Sequence, residues 1–195
     1  MEAKLFTSLL ILLSSSFILY PPIAARATGK PYQETSTKFI RKTCSATRYP
    51  RLCFSSLVKH ATFIQTNRMH LTDTALNVTL SSAKGASALI LNLSKSHGLK
   101  PREVAAINDC VEVLSDSVYE LRRSIKEMSH LRSSNFYLTI SDVQTWVSAA
   151  LTDENTCMDG FQGTHGKVKK RVRREIVVAA QLTSNALALI NQLAS

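Results

Sequence analysis

Apolar residues along this chain recur every three or four positions in four long stretches, the period of a helix with one buried face. The first stretch predicts a helix from about Asp73 to Lys95, with Ala75, Val78, Ser82, Gly85, Leu89 and Leu93 inward and Gly98 as its stop. The second begins near Pro101, because proline fits a first helical turn. Its stripe is Val104, Ile107, Val111, Leu114, Val118, Leu121, Ile125 and Met128, in alternating steps of three and four. The third is expected to start at Ser141, where Ser141 and Gln144 read as a capping box. Val143, Val147, Ala150, Cys157 and Phe161 mark its buried face, and Gly163 and Gly166 end it. The fourth runs from about Lys167 to Leu193, with Val172, Ile176, Ala179, Thr183, Ala186 and Ile190 inward.

Four such helices with short connections predict an all-α fold, an antiparallel up-down-up-down four-helix bundle over residues 71–195. Residues 28–70 predict an N-terminal helical hairpin. Cys44 and Cys53 flank Tyr49-Pro50 there, and Pro50 disfavours helix through the residue before it, so the chain turns. Residues 1–27 read as a secretory signal peptide. Lys4 supplies the positive end, apolar residues follow, and Ala25-Arg26-Ala27 is a small-x-small cleavage site. The unbroken apolar core there is shorter than the roughly 20 residues of a membrane span. No later stretch is expected to span a bilayer. Residues 28–195 therefore read as one exported domain.

Charge narrows the partners. The 195-residue chain carries a formal net charge of +10. That balance favours acidic partners, and for an exported chain polyanionic wall material fits better than nucleic acid. Neither a nucleic acid nor a membrane is expected as a partner. The four cysteines, Cys44, Cys53, Cys110 and Cys157, are even in number in an oxidising compartment, which predicts two disulfides. Counting alone leaves three pairings open. Cysteines close across a turn are natural partners, and Cys110 with Cys157 would then tie the second long helix to the third; the other two pairings would pull the hairpin into the bundle. Asn77-Val-Thr79 and Asn92-Leu-Ser94 are N-glycosylation acceptors, Asn77 and Asn92.

The strongest charge feature is Lys167, Lys169, Lys170, Arg171, Arg173 and Arg174. Such runs are usually a solvated helix face. At a helix N-terminus each charge also opposes the macrodipole by about 0.3–1 kcal/mol before screening. An acidic partner such as pectin would offset that cost, so these six residues are candidate pectin contacts.

A search for catalysis returns little. The chain has no Gly-x-Ser-x-Gly elbow, no His-Glu-x-x-His and no glycine-rich phosphate loop. The five histidines fall near predicted helix ends, and the carboxylates are scattered. The cysteine spacings fit no zinc pattern. No enzymatic activity, metal or cofactor is expected. Trp146, the one tryptophan, reads as core rather than as a sugar platform.

Three stretches resemble the plant invertase and pectin methylesterase inhibitors. Cys44-Ser-Ala-Thr-Arg-Tyr-Pro-Arg-Leu-Cys53 is similar to that family's first cysteine pair, with its Thr-x-Tyr-Pro centre. Ala106-Ile-Asn-Asp-Cys110, then Glu112 and Asp116-Ser-Val-Tyr-Glu-Leu121, is similar to its third-cysteine helix. Trp146-Val-Ser-Ala-Ala-Leu-Thr-Asp-Glu-Asn-Thr-Cys157-Met-Asp-Gly-Phe161 is the most specific of the three. The resemblance implies disulfides Cys44–Cys53 and Cys110–Cys157. It implies a non-enzymatic inhibitor that covers the substrate cleft of its target in a one-to-one complex. The family's contact positions fall here on Glu112, Asp116, Tyr119, Thr156 and Asp159, with Tyr119 standing where a relative has an acid. Invertase inhibitors often carry a Pro-Lys-Phe tripeptide on the bundle. This chain has none, and its third-helix motif is closer to the pectin methylesterase branch. A secreted inhibitor of pectin methylesterase in the cell wall is the expected function. An acid invertase inhibitor and a basic pectin-binding wall protein are the alternatives.

Overall fold

The computed structural model describes residues 29–194, so the expected signal peptide, residues 1–27, lies outside the described residues. Helix α1 spans Gly29–Cys44 and α2 spans Pro50–Leu57. A 3-10 turn, Val58–His60, and the short α3, Ala61–Ile64, follow. Four long helices come next: α4 (Arg68–Ser94), α5 (Pro101–Met128), α6 (Phe136–Gly160, after a 3-10 turn at Ser133–Asn135) and α7 (Lys167–Ala194). Each long helix packs on its neighbours in sequence, and α7 closes the ring against α4. Short connections make those neighbours antiparallel, giving the expected four-helix bundle.

The helix ends follow local chemistry. The Asn67 Oδ1 accepts from the Met69 and His70 amides at 2.8 and 3.2 Å and starts α4 five residues before the expected Asp73. Pro101 is the first residue of α5, as expected, and the Glu103 carboxylate accepts from the Lys100 amide at 3.0 Å. The capping box expected at Ser141 is absent. Helix α6 starts five residues earlier, Ser141 lies inside it, and the Gln144 amide donates instead to Asn191 on α7 at 2.8 Å. The serine-to-glutamine spacing was there, but the helix already ran through it. Helix α4 ends at Ser94 rather than at Gly98, which sits in the connection at a φ of 77°.

Every residue expected inward on α6 and α7 is buried, with Phe161 just past the end of α6, which stops at Gly160 rather than at Gly163. The buried stripe of α5 keeps Ile107, Leu114, Val118, Leu121 and Met128, with Val111 and Ile125 half-buried, but Val104 is 40 % exposed. Glu103, Ala106 and Cys110 turn inward around it at the end of the bundle. On α4 the inward line is Leu76, Thr79, Ala83, Ala86, Ile90 and Leu93. Val78, Ser82 and Leu89 are half-buried and Gly85 is exposed. This helix touches α5, α7 and α2, so apolar residues sit on more than one of its sides and blur the period.

The hairpin shares the bundle's core. Ile40, Cys44, Cys53, Leu57 and Ile64 join Leu71, Leu76, Leu121 and Leu189 in one apolar cluster. Disulfide Cys44–Cys53 closes the hairpin, and Cys110–Cys157 ties α5 to α6. The buried Asn185 side chain on α7 clasps the hairpin turn: its Oδ1 accepts from the Tyr49 amide at 3.0 Å, and its Nδ2 donates to the Tyr49 carbonyl at 3.1 Å. Against the sequence expectation, α7 is long and apolar enough to cross a membrane. Half of its apolar stretch is buried in the bundle, as for the core helix of a packed domain.

Candidate functional site

Helices α5 and α6 lie side by side, joined by Cys110–Cys157, and their seam carries most of the unusual chemistry. Glu112, Asp116 and Tyr119 are exposed on α5, and Tyr119 is 63 % exposed. Spacings of four and three put them on one helix face. Thr156 and Asp159 are exposed on α6. The Thr156 hydroxyl donates to the Thr152 carbonyl at 2.9 Å, and Asp159 accepts from the Gln162 amide at 2.9 Å.

The structure draws Asp116 into a cluster with two carboxyls the sequence reading did not select, Glu120 and Asp153. Burial pushes the Glu120 carboxyl up to about 7; Asp153 and then Asp116 push the same way, and Arg123 pulls back. Burial, then Asp116, also raises Asp153, while the hydrogen bond to Glu120 lowers it. No donor reaches the buried Glu120 Oε2. A carboxyl facing a carboxylate without a donor holds a proton most readily, so Glu120 is the protonated partner and Asp153 the acceptor. One turn further along, the Arg123 guanidinium lies 4.1 Å above the Trp146 ring centroid. Trp146 is therefore not core as expected but a half-buried ring capped by a cation, a pair that stays at the surface.

Beneath this face sits Glu154, fully buried between α5, α6 and α7. Its Oε1 accepts from Ser117 at 3.2 Å and from Thr183 at 3.0 Å. The single Thr183 proton is divided between Glu154 and the Ala179 carbonyl, and Glu154 Oε2 has no partner. Burial pushes this carboxyl up to about 7, with the two hydroxyls pulling back. A raised carboxyl favours the folded state when neutral. Its contribution is whole below the unfolded value near 4.5 and is lost as pH rises through about 7. The loss is on the order of 3 kcal/mol. Wild-type protein is expected to melt lower at pH 8 than at pH 5, and Glu154→Gln to narrow that difference, with the raised Glu120 and Asp153 carboxyls holding the remainder; thermal melts at the two pH values check both.

The remaining candidates lie elsewhere. Asn77 and Asn92 are exposed on α4, the helix diagonal to α6 in the ring. Lys167, Lys170, Arg171, Arg173 and Arg174 are exposed and Lys169 half-buried in the first turns of α7. Among the described residues no group of His, Cys, Asp and Glu is arranged to hold a metal.

Fold and seam together define a class: a disulfide-tied helical bundle with an open, charged two-helix face. The match to the family described as plant invertase/pectin methylesterase inhibitor covers residues 38–189, and this chain belongs to that family. It is 43% identical to Pectinesterase inhibitor 9 of Arabidopsis thaliana over all of this chain and 96% of that one. It is 48% identical to Pectinesterase inhibitor 10 of the same plant over 83% of this chain, although the match spans only 53% of that relative. The 21 kDa protein of Daucus carota is 45% identical over 89% of this chain and 90% of its own. A crystal structure of a mutant form of an Arabidopsis pectin methylesterase inhibitor superposes with a TM-score of 0.65 at 22% identity, covering 78% of this chain and 95% of that one. That likeness concerns the fold.

Proposed function

We propose that this protein is a secreted, stoichiometric inhibitor of a pectin methylesterase, docking its α5–α6 face over the enzyme's substrate cleft in a one-to-one complex. The observation that carries the reading is the match, along the whole chain, to relatives named pectinesterase inhibitors. The seam supports it physically. Protein interfaces favour exposed aromatic and arginine side chains on a rigid base. Tyr119, Trp146 and Arg123 supply those groups, and the Cys110–Cys157 bond holds the two helices in register. Glu112, Asp116, Thr156 and Asp159 surround them as the polar part of the contact. The signal-like N-terminus supports export to the cell wall, where such an inhibitor would control pectin methylesterification. The family description also names invertase, which keeps an acid invertase as the competing target.

Titrating purified protein into parallel pectin methylesterase and acid invertase assays decides between them. Demethylation is expected to fall and saturate near one equivalent, with invertase untouched. Loss of invertase activity alone would transfer the function to the other target. The exposed run Lys167–Arg174 supports a second contact, with acidic pectin.

A further inference from the structure

Helix α7 opens with its six cations where the helix dipole is positive. Among the described residues only Arg174 of that run has an acidic partner, Glu175 at 3.0 Å. A seventh cation joins from the start of α5. The Arg102 guanidinium lies across the Gln162–Gly163 turn and donates to the Gln162 carbonyl at 2.9 Å. Gly163, at a φ of 74°, leaves room for it, since a Cβ there would sit 2.9 Å from the guanidinium. Between the end of α6 and the first turns of α7 is a cleft of about 210 Å³. Lys169 and Arg173 stand on its rim, Gln162 offers an amide, and Val172 and Phe161 form an apolar floor. Asp159 also borders it, with its carboxylate engaged by the Gln162 side chain.

We propose that this basic end binds pectin from which methyl esters have been removed, the cleft holding one galacturonate by its carboxylate between Lys169 and Arg173. The arrangement distinguishes product from substrate of the proposed target. Hydrolysis of a galacturonate methyl ester takes up water, releases methanol and leaves a carboxylate. The ester is neutral and gains little from unneutralised cations, whereas successive carboxylates engage them together and add as a multivalent contact. A nucleic acid is a poorer match, because no Phe, Tyr or Trp side chain is exposed here for stacking: among the described residues the exposed ones are Phe63, Tyr119 and Tyr137, on other elements. An anionic membrane is poorer too, because Lys167–Arg174 carries no exposed large apolar side chain to insert. The link to the target rests on the inhibitor reading; the binding itself does not. Taken together, the inhibitor is held where its target has already acted, a feedback through the product.

The test immobilises polygalacturonate, fully methyl-esterified pectin and dextran sulfate, and measures retention of the exported domain, residues 28–195, at moderate salt. Retention on polygalacturonate is expected to exceed that on the esterified polymer by about tenfold or more, and to weaken with added salt. Lys169→Gln with Arg173→Gln is expected to lower it about tenfold, while Lys169→Arg with Arg173→Lys keeps it. The glutamine variant should melt no lower than wild type, because the lost charges oppose the helix dipole. Equal retention on free and esterified pectin, stronger retention on dextran sulfate than on polygalacturonate, or an unaffected glutamine variant would overturn the proposal. Failure of the inhibitor reading shows separately, in the enzyme titration, which needs no immobilised polymer.

Discussion

Asp116→Arg is expected to weaken inhibition of pectin methylesterase by about a hundredfold while leaving the melting temperature nearly unchanged. Asp116 is exposed, so the fold does not depend on its packing. Its nearest electrostatic neighbours are Glu120 and Asp153, both raised in part by it. An arginine there would attract those carboxyls rather than repel them, so any effect on folding is small and favourable. The proposed docking face, however, exchanges a negative charge for a positive one. Removing one partner of a charge pair buried in an interface costs about 2–5 kcal/mol, the loss expected here for an Asp116 covered by the target, and a hundredfold is about 2.7 kcal/mol. Lys84→Glu, an exposed reversal on α4, serves as the control and should leave inhibition intact. Inhibition constants for the two variants side by side give the answer. Unchanged inhibition by the Asp116 variant would place the contact on another face.

Removing the Cys110–Cys157 bond, by Cys110→Ala with Cys157→Ala, should be the most destabilising change that leaves the backbone alone. The bond joins residues 47 apart, and on the loop-entropy account its loss frees the unfolded chain by about 4 kcal/mol. Both cysteines are buried within the apolar cluster formed with Ile107, Leu114, Phe161 and Ile176, so alanine also leaves small voids. A fall in melting temperature of roughly 10 °C or more is expected for a domain of this size. Inhibition should fall as well, because the same bond sets the α5–α6 register. With Cys44 and Cys53 already replaced by alanine, a reduced protein melting like the one that also carries Cys110→Ala and Cys157→Ala would confirm that the Cys110–Cys157 bond, not the cavity, is responsible. The Cys44–Cys53 bond spans a separation of only 9, and its removal should cost less.

Helix identity and order were readable because amphipathic helices repeat their apolar residues at a fixed period, and α5, α6 and α7 do so with little noise. Boundaries were less so. Asn67 caps α4 well ahead of any apolar stripe, and α6 runs through a plausible capping box that it does not use. The seam was half legible. Asp116 and Tyr119 stood out by their place in a motif, but Glu120 and Asp153 matter only because two helices bring them face to face. Glu154 had a visible signal: it falls between Ala150 and Cys157 in the inward stripe of α6, where a carboxyl is out of character. The Asn185 clasp had none, since its partners are backbone groups 136 positions away.

That clasp also orders events at the ribosome. The hairpin is the first described segment to leave the exit tunnel, yet its turn is tied to α7, the last of the described helices to follow. Ile40, Leu57 and Ile64 belong to a cluster completed by Leu189 and Ile190, so until α7 has emerged they have an unfinished surface to cover. The nascent hairpin thus waits with an uncovered apolar surface, and the emergence of α7 is the moment at which it can dock.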